Sequence, residues 1–450
     1  MIRPVLDSLL DQERARFVVS HPASAALALK AQDHWLGGVP MHWMGDWATP
    51  FAIVAKSGQG ARLTDVDGLD YDDFCLADTP SMFGHGLEAV AKALADQAAK
   101  GTGFMLPTQE ASEVGKLLSA RFGLPFWQTA NTATDANRAA IRWARAVTGR
   151  SQILVFDGCY HGAVDDTFVS LASGKAALKA GLVGQVHDVA AFAKVIDFND
   201  LAALEAALAP GDVACVLAEP VMTNCGMIVP EEGYLEGLRA LTRKYGTLLL
   251  IDETHTISTG PGGATVAYGL EPDIFTLGKA IGGGVPAAVW GVTSELADQM
   301  AKAARAIGPG YSGIGTTLSG NALSLAAMKV MLSEVMTPKA YGPMLEGAER
   351  LVSGLRRVIA ARGLDWSAVQ VGARVELVFA NPPPRNAKQM RLALDHDLLE
   401  ALHLFLINRG VLIAPFHNMM LVSPYTEDAA IDRLVAAIDD FAAALESSDL

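Results

Sequence analysis

The chain has 450 residues, of which 51% are hydrophobic and 19% are charged, and its 35 Lys and Arg against 49 Asp and Glu give a formal net charge of -14. A chain of this length exceeds the size at which one hydrophobic core keeps growing, so a large and a smaller domain are expected rather than a single small binding module. The acidic balance without a basic cluster argues against nucleic acid as a partner.

No membrane attachment is expected, because the sequence contains no run of about 18 apolar residues. The charged N-terminus lacks the apolar centre of a signal peptide. The four cysteines have no CxxC spacing and lie in apolar or glycine-flanked contexts, which is typical of buried thiols in a reducing cytoplasm. We therefore expect a cytoplasmic protein without a metal site.

Three stretches of the chain differ in their pattern. Residues 1–75 predict an N-terminal helix and a small antiparallel ribbon, in which Asp67-Gly68 marks a hairpin turn, as part of a small domain. Residues 76–332 alternate between helical stretches rich in Ala and Leu and short apolar runs, which indicates a large α/β domain. The pattern of residues 333–450 predicts an amphipathic helix, short strands such as residues 375–379 and a final helix. We expect these residues to form the C-terminal small domain.

Within the large domain, three short and nearly continuously apolar runs are typical of strands covered on both faces. They are residues 213–218, 247–251 and 274–277. A helical pattern over residues 233–245 lies between the first two runs and predicts a right-handed parallel crossover. Ligands of such sheets bind beyond the carboxyl ends of the strands, so the residues that follow the runs are favoured for chemistry: Glu219, Asp252 and Lys279.

Asp252 and Lys279 form a chemically meaningful pair. Schiff-base formation requires an unprotonated amine, and burial at a strand end favours that form. A carboxylate nearby can keep a pyridine nitrogen protonated, which lets the ring withdraw electrons from a substrate carbon. Taken alone, Lys279 is more simply interpreted as a solvated lysine at a strand end, and Asp252 as a helix N-cap. Their joint occurrence at neighbouring strand ends favours the chemical interpretation.

Three segments, in their order and spacing, resemble the signature of class III pyridoxal-phosphate-dependent aminotransferases. The closest subgroup is that of the glutamate-1-semialdehyde aminomutase-like proteins, and the similarity runs from about Gly37 to the last helix. The segments are Ala218-Glu219-Pro220, Leu250-Ile251-Asp252-Glu253-Thr254 and Thr276-Leu277-Gly278-Lys279-Ala280-Ile281-Gly282-Gly283-Gly284-Val285-Pro286.

This resemblance implies an α/β protein of pyridoxal-phosphate fold type I. Such a protein has a large domain with a mainly parallel seven-stranded sheet between helices, and a smaller α+β domain built from both termini. The implied cofactor is pyridoxal 5'-phosphate, bound as a Schiff base by the catalytic Lys279, with Asp252 paired to its pyridinium nitrogen. The implied assembly is a homodimer in which Thr317 reaches the phosphate of the neighbouring subunit.

The resemblance also implies a loop that holds the cofactor's phosphate, made of Thr132, Ala133 and Thr134. Backbone N–H groups at a helix start attract an anion, and the two threonines provide hydroxyls. Ala133 stands where the family has glycine, which limits the approach of the backbone. A plain threonine N-cap is the alternative, and it is compatible with phosphate binding.

Four further residues match positions that the family places around the cofactor. In Gly158-Cys159-Tyr160-His161-Gly162, Tyr160 is the candidate for stacking on the cofactor's face, with a core tyrosine as the alternative. Glu219 and Asn224 match residues near the phenolic side of the ring. His255 falls where relatives often carry Gln or Met and is a candidate donor to the phenolic oxygen, with a hydrogen-bonded core histidine as the alternative.

Substrate recognition departs from the subgroup. Met44 occupies the position of an arginine that holds the substrate carboxylate, so bidentate capture is lost there. Residues 412–421, where other class III enzymes carry a carboxylate-binding arginine, contain none. Arg374 and Arg409 remain candidate cations. We expect an apolar, adaptable substrate pocket that includes Met41, Trp43 and His417, although packed core residues explain the pattern equally well.

The sequence thus predicts a transaminase that moves an amino group from an amine or amino acid to a keto acceptor, with a bulky or hydrophobic substrate. An aminomutase or lyase that uses the same cofactor on an amino compound is the alternative. A non-catalytic relative that kept only the fold is a third hypothesis, which the presence of both Lys279 and Asp252 disfavours. In each catalytic case the partners are small molecules and a second copy of the chain.

Overall fold

A computed structural model of the chain describes residues 2–446. Its helices are α1 (Ile2–Ser20), α2 (Pro22–Ala31), α3 (Glu88–Ala98), α4 (Gln109–Phe122), α5 (Ala133–Thr148), α6 (Leu201–Leu208), α7 (Tyr234–Lys244), α8 (Gly263–Ala267), α9 (Ser294–Ile307), α10 (Ala322–Val330), α11 (Pro338–Arg362), α12 (Ala387–Ala393), α13 (His396–Ile407) and α14 (Asp428–Glu446). Its strands are β1 (Ala55–Gln59), β2 (Arg62–Asp65), β3 (Asp70–Asp73), β4 (Phe126–Ala130), β5 (Gln152–Phe156), β6 (Val169–Ala172), β7 (Lys175–Leu178), β8 (Ala193–Ile196), β9 (Val213–Ala218), β10 (Leu248–Asp252), β11 (Ile274–Leu277), β12 (Ala288–Val292), β13 (Ser367–Val371), β14 (Arg374–Val378), β15 (Val411–Leu412) and β16 (Met419–Leu421).

The chain folds into two compact units. The central unit comprises residues 88–338 and 384–392, and the terminal unit comprises residues 1–87, 339–383 and 393–450. Residues 76–87 belong to the terminal unit, where Gly60 and His85 exchange two backbone hydrogen bonds of 3.0 and 2.7 Å. The domain boundaries after residues 75 and 332, which the sequence suggests, stay a prediction.

The central unit is built on a seven-stranded sheet with the strand order β4-β12-β11-β10-β9-β5-β8. Strands β11, β10, β9, β5 and β8 are parallel, whereas β12 is antiparallel to both β11 and β4. The predicted mainly parallel seven-stranded sheet is therefore confirmed. Every residue of β9 is buried, as expected for a strand covered on both faces.

Helix α5 packs on β9, β11 and β12 and carries the first residues of the site. Its buried face contains the small side chains of Ala136, Ala140 and Ala144, which allow a close approach to the sheet. Thr132 is the N-cap: its Oγ1 accepts a hydrogen bond of 3.2 Å from the backbone N–H of Asp135. This cap fixes where the helix begins.

The terminal unit contains a four-stranded sheet, β1-β2-β3-β15, and a three-stranded sheet, β13-β14-β16. Strands β2 and β3 pair antiparallel around the predicted turn, where Asp65 accepts a 2.9 Å hydrogen bond from Leu69 N–H. Helices α1, α13 and α14 contact one another in this unit. Within residues 2–446, none of the helices combines the length and the apolar character needed to cross a membrane.

Candidate active site

The parallel strands β9, β10 and β11 end at the same edge of the central sheet. Asp252 is the last residue of β10 and pairs in register with Thr276 of β11, while Lys279 lies two residues beyond the end of β11. Glu219 directly follows β9. Because parallel strands align their carboxyl ends, the sheet brings the three predicted residues to one edge.

The backbone at Lys279 is held in an unusual conformation. Its φ of 47° lies in the left-handed region, which costs a non-glycine residue about 1–2 kcal/mol. The preceding Gly278 lies against the start of α5, since a Cβ atom there would be 2.9 Å from the Cβ of Ala133. Only glycine permits this approach, and it places the lysine turn beside the predicted phosphate loop. Such local strain is typical of functional sites.

Asp252 is buried in a dense hydrogen-bond network. Its Oδ2 accepts hydrogen bonds from Asn137 Nδ2 at 2.8 Å and from His161 Nδ1 at 3.0 Å, and its Oδ1 accepts one from Thr254 N–H at 3.1 Å. The Oδ1 of Asn137 in turn accepts a 2.8 Å hydrogen bond from the Thr276 hydroxyl. The network fixes the orientation of the carboxylate at the strand end.

The charges of this network favour an ionised aspartate. Burial alone would raise the pKa of Asp252, but the hydrogen bond and positive charge of His161 outweigh it and hold the pKa below its usual value. Burial alone would lower the pKa of His161, but the hydrogen bond to Asp252 and the neighbouring Cys159 raise it. The pair therefore carries a carboxylate and an imidazolium at neutral pH.

Asn137, His161 and Thr276 are site residues that the sequence reasoning did not assign. The sequence does contain a signal for the first, because Asn137 is a polar residue among alanines on the buried face of α5. His161 lies in the motif around Tyr160, which by itself indicates no role for the histidine. The contacts themselves join residues that are 91 to 139 positions apart, so no local pattern identifies them.

Lys279 contacts a second predicted residue. Its Nζ lies 2.9 Å from Nε2 of His255, which is buried in the turn that follows β10. The Ser258 hydroxyl donates a 3.0 Å hydrogen bond to the carbonyl oxygen of His255 and holds the backbone of that turn. The contact differs from the predicted one, in which His255 serves the phenolic oxygen of the cofactor.

Glu219 provides a buried acidic group with spare hydrogen-bonding capacity. Its Oε2 accepts a 2.5 Å hydrogen bond from the hydroxyl of Thr223, to which Asn224 Nδ2 also donates at 3.4 Å. Among residues 2–446, no group hydrogen-bonds to the other carboxylate oxygen, Oε1. Burial raises the pKa of Glu219 to about 7. An unsatisfied buried oxygen at this edge is consistent with a polar ligand group there.

The predicted phosphate loop lies at the start of α5, and its hydroxyls are engaged. Thr132 caps the helix, and the Oγ1 of Thr134 accepts a 3.0 Å hydrogen bond from Ala163 N–H. The neighbouring Asn131 donates a 2.9 Å hydrogen bond to Thr316 Oγ1, whereas the predicted Thr317 is exposed. The helix N-terminus retains backbone N–H groups that suit an anion.

Tyr160 is tethered to this site by its neighbours along the chain. His161 contacts Asp252, and Gly162, with a φ of 84°, packs directly against Thr134. The tyrosine itself is 45% exposed, which leaves its ring accessible to a ligand. The Nζ of Lys179, which follows β7, lies 5.9 Å from the ring centroid. The predicted stacking residue is thus partly exposed and has a cation beside it.

The predicted substrate-pocket residues all belong to the terminal unit. Met41 and Trp43 are 48% and 43% exposed, and His417 Nδ1 lies 2.8 Å from Oε2 of Glu376. Their role in substrate binding stays a prediction. The two candidate cations are engaged: Arg409 forms an ion pair of 3.0 Å with Glu13, and the buried Arg374 donates to Met419 Sδ and Thr79 Oγ1.

The strand order, the strained strand-end lysine and the fixed strand-end carboxylate define an enzyme of the pyridoxal-phosphate fold type I class. The chain belongs to the class-III aminotransferase family, whose sequence pattern matches residues 43–441. Its cofactor is pyridoxal 5'-phosphate. A strand-end amine, an ionised aspartate and a helix N-terminus are the groups that suit an aromatic aldehyde with a basic nitrogen and a phosphate.

Named relatives support this assignment. The chain is 35% identical over 394 residues to "Glutamate-1-semialdehyde 2,1-aminomutase 2" of Brevibacillus brevis, covering 86% of this chain and 90% of that protein. A crystal structure of a glutamate-1-semialdehyde-aminomutase from Pseudomonas aeruginosa is 45% identical, with a TM-score of 0.95 and coverage of 98% and 99% of the two chains. A β-phenylalanine aminotransferase from Variovorax paradoxus is 27% identical, with a TM-score of 0.87 over 98% and 99%.

Proposed function

We propose that Lys279 binds pyridoxal 5'-phosphate covalently and that the chain uses it to move amino groups, with an aminomutase reaction as the first candidate. The observation that supports this most directly is the Asp252–His161 pair, whose carboxylate lies at the same sheet edge as Lys279. When bound, the cofactor supplies an electron-withdrawing ring that acidifies a carbon next to the substrate nitrogen.

Each residue has a distinct part in this proposal. Asp252 would accept a hydrogen bond from the ring nitrogen of the bound cofactor and keep that nitrogen protonated, and His161 keeps Asp252 ionised. Lys279 takes a proton from one substrate carbon, so that a C–H bond breaks and an N–H bond forms on the lysine. It then returns a proton to another substrate carbon, where a C–H bond forms as the N–H bond breaks. Thr132, Ala133 and Thr134 present backbone N–H groups to the phosphate, and Thr317 serves the phosphate of a second subunit.

The remaining predicted residues position the ring. Tyr160, which is partly exposed, is the residue that stacks on the ring. Glu219 and Asn224 lie next to Thr223 and serve the phenolic side, where the spare oxygen of Glu219 accepts a hydrogen bond. These assignments rest on the shared sheet edge and on the resemblance of the motifs to the family.

The identity of the cofactor lysine is tested by reduction with borohydride. Treatment of the purified yellow protein should attach a pyridoxyl group to the peptide that contains Lys279, as detected by mass spectrometry. The Lys279→Ala variant should fold, as judged by circular dichroism, but lose turnover. A pyridoxyl group on another lysine, or full activity of Lys279→Ala, would disprove the assignment.

The aminomutase reaction is favoured by the names of two similar relatives, both of which denote movement of an amino group within one molecule. The decisive measurement is product analysis with one amino-carbonyl compound and no added keto acid. An aminomutase converts it completely to an isomer, whereas a transaminase consumes a keto acceptor in equal amount. Turnover that stops after one equivalent per active site unless a keto acid is added would reject the aminomutase.

A transaminase with a bulky or hydrophobic substrate is the second candidate, and one specific residue favours it. Met44 stands where the resemblance places a carboxylate-binding arginine, and a thioether cannot form a bidentate ion pair. The similar Variovorax protein is named for an aromatic β-amino acid. A panel of α-amino acids, β-amino acids and simple amines with pyruvate or 2-oxoglutarate distinguishes the candidates, since only a transaminase yields a new amino acid from the keto acid.

Either reaction requires a cation if the substrate is anionic, and we assign that part to Lys179. Its ammonium group lies over the Tyr160 ring, and within residues 2–446 no carboxylate forms an ion pair with it. Lys179→Ala should raise KM for a carboxylate-bearing substrate about tenfold and leave KM for an uncharged amine unchanged. The same change in KM for both substrates would disprove this role.

A further inference from the structure

The contact between Lys279 and His255 joins the turns that follow the neighbouring strands β11 and β10. The two nitrogen atoms, Nζ and Nε2, are 2.9 Å apart, which is a normal hydrogen-bond distance. His255 is buried, with 7% of its surface exposed. A buried imidazole is therefore held against an amine whose residue is partly buried.

An imidazole in this position has two properties that matter to an amine that moves protons. Its neutral form accepts a hydrogen bond from an N–H group and stabilises a positive charge on the nitrogen. It can also take up and release a proton, which an amide side chain does not do.

We propose that His255 is the proton partner of Lys279: its Nε2 accepts a hydrogen bond from the lysine nitrogen and stabilises that nitrogen whenever it carries the extra proton. The inference rests on the proposed function, in which Lys279 binds the cofactor and transfers protons. It assigns His255 a part beyond the predicted contact with the phenolic oxygen. His255 acts through the lysine and is therefore a positioning residue.

The other ionisable groups at these three strand ends have partners of their own. Asp252 is bound to His161 and Asn137, as described above. Glu253 accepts hydrogen bonds from the backbone N–H groups of Ala264 and Thr265, and Glu219 accepts one from Thr223. Burial raises the pKa of both glutamates to about 7, which reduces their negative charge at neutral pH. His255 Nε2, in contrast, lies within hydrogen-bond distance of the lysine nitrogen.

The test is a pH titration of the visible absorbance of the purified holoenzyme, which needs no substrate. In the wild type, the lysine-bound chromophore and His255 titrate as a coupled pair, so the curve is broad or has two steps. His255→Gln keeps a hydrogen-bond acceptor but does not titrate, and should give a single step with nearly the same main midpoint. His255→Leu should give a single step whose midpoint is lower by about one pH unit, because the protonated nitrogen loses its acceptor.

His403→Gln is the matched control, because His403 is also buried but hydrogen-bonds to Asn418, 3.0 Å away in the terminal unit. Its titration should equal that of the wild type. A single-step wild-type curve that His255→Gln leaves unchanged would overturn the inference, even if His255→Leu did not fold. A chromophore that persists unchanged in Lys279→Ala would instead overturn the proposed function, so the two failures are distinguishable.

Discussion

Removal of the imidazolium from the Asp252–His161 pair should destabilise the protein in a pH-dependent way. In His161→Leu, the buried carboxylate keeps only the hydrogen bonds from Asn137 and Thr254. Loss of one partner of a buried ion pair costs about 3–5 kcal/mol. The carboxyl group can avoid part of this cost by taking up a proton. From its ordinary pKa of 3.8, protonation at pH 7 costs about 4 kcal/mol, which sets the upper limit.

The same reasoning gives the direction of the pH effect. A carboxyl group with a lowered folded-state pKa contributes stability above pH 3.8 that is lost as the pH falls, so the wild type retains this contribution at pH 5. In the variant, protonation at pH 5 costs only about 2 kcal/mol. The free energy lost by His161→Leu should therefore fall by about half between pH 7 and pH 5.

The assay is urea unfolding of the wild type, His161→Leu and the double variant His161→Leu/Asp252→Asn, followed by fluorescence at both pH values. The double variant has no buried charge at this position, so its stability relative to the wild type should depend much less on pH. It should also be more stable than His161→Leu at pH 7. An equal loss for His161→Leu at pH 5 and pH 7, or a double variant less stable than the single one, would refute the reasoning.

Two further predictions concern the supports of the site. Gly162→Ala places a Cβ atom against the hydroxyl of Thr134 at a φ of 84°, so it should destabilise the protein by about 3 kcal/mol and weaken cofactor retention. Gly174→Ala is the control: its φ is 76° but the space around it is open, so it should cost only about 1–2 kcal/mol. Arg239→Met removes a bidentate ion pair with Asp273, in which both hydrogen bonds are 2.8 Å long, and should lower the melting temperature clearly. Arg243→Met removes an exposed ion pair with Glu271 and should change the melting temperature little. Equal thermal shifts within either set would contradict these explanations.

Much of the site's outline follows from local sequence patterns. The apolar runs that become β9, β10 and β11 predict buried parallel strands, and the residues after them are therefore expected at one sheet edge. The structure confirms the sheet and the edge. The turn at residues 66–69 was likewise predictable, because Asp-Gly favours a tight turn between alternating strands.

The partners of the site residues were not predictable in the same way. Asn137 contacts Asp252 from helix α5, which begins at Ala133, 119 positions before Asp252. His255 contacts Lys279, whereas the sequence predicted a contact with the phenolic oxygen of the cofactor. Such contacts depend on how far a helix rotates on the sheet and on which turn packs beside which strand end. Both are settled by the packing of the whole core.

The sequence by itself thus determined the strand pattern and the residues that lie at the reactive edge, because burial and turn preferences act between near neighbours. The class of chemistry came from the resemblance of its motifs to a known family. Only the tertiary structure decided that His161 and Asn137 hold the carboxylate and that His255 touches the amine. A buried charge needs partners from whatever elements surround it, and those elements are brought together only when the chain folds.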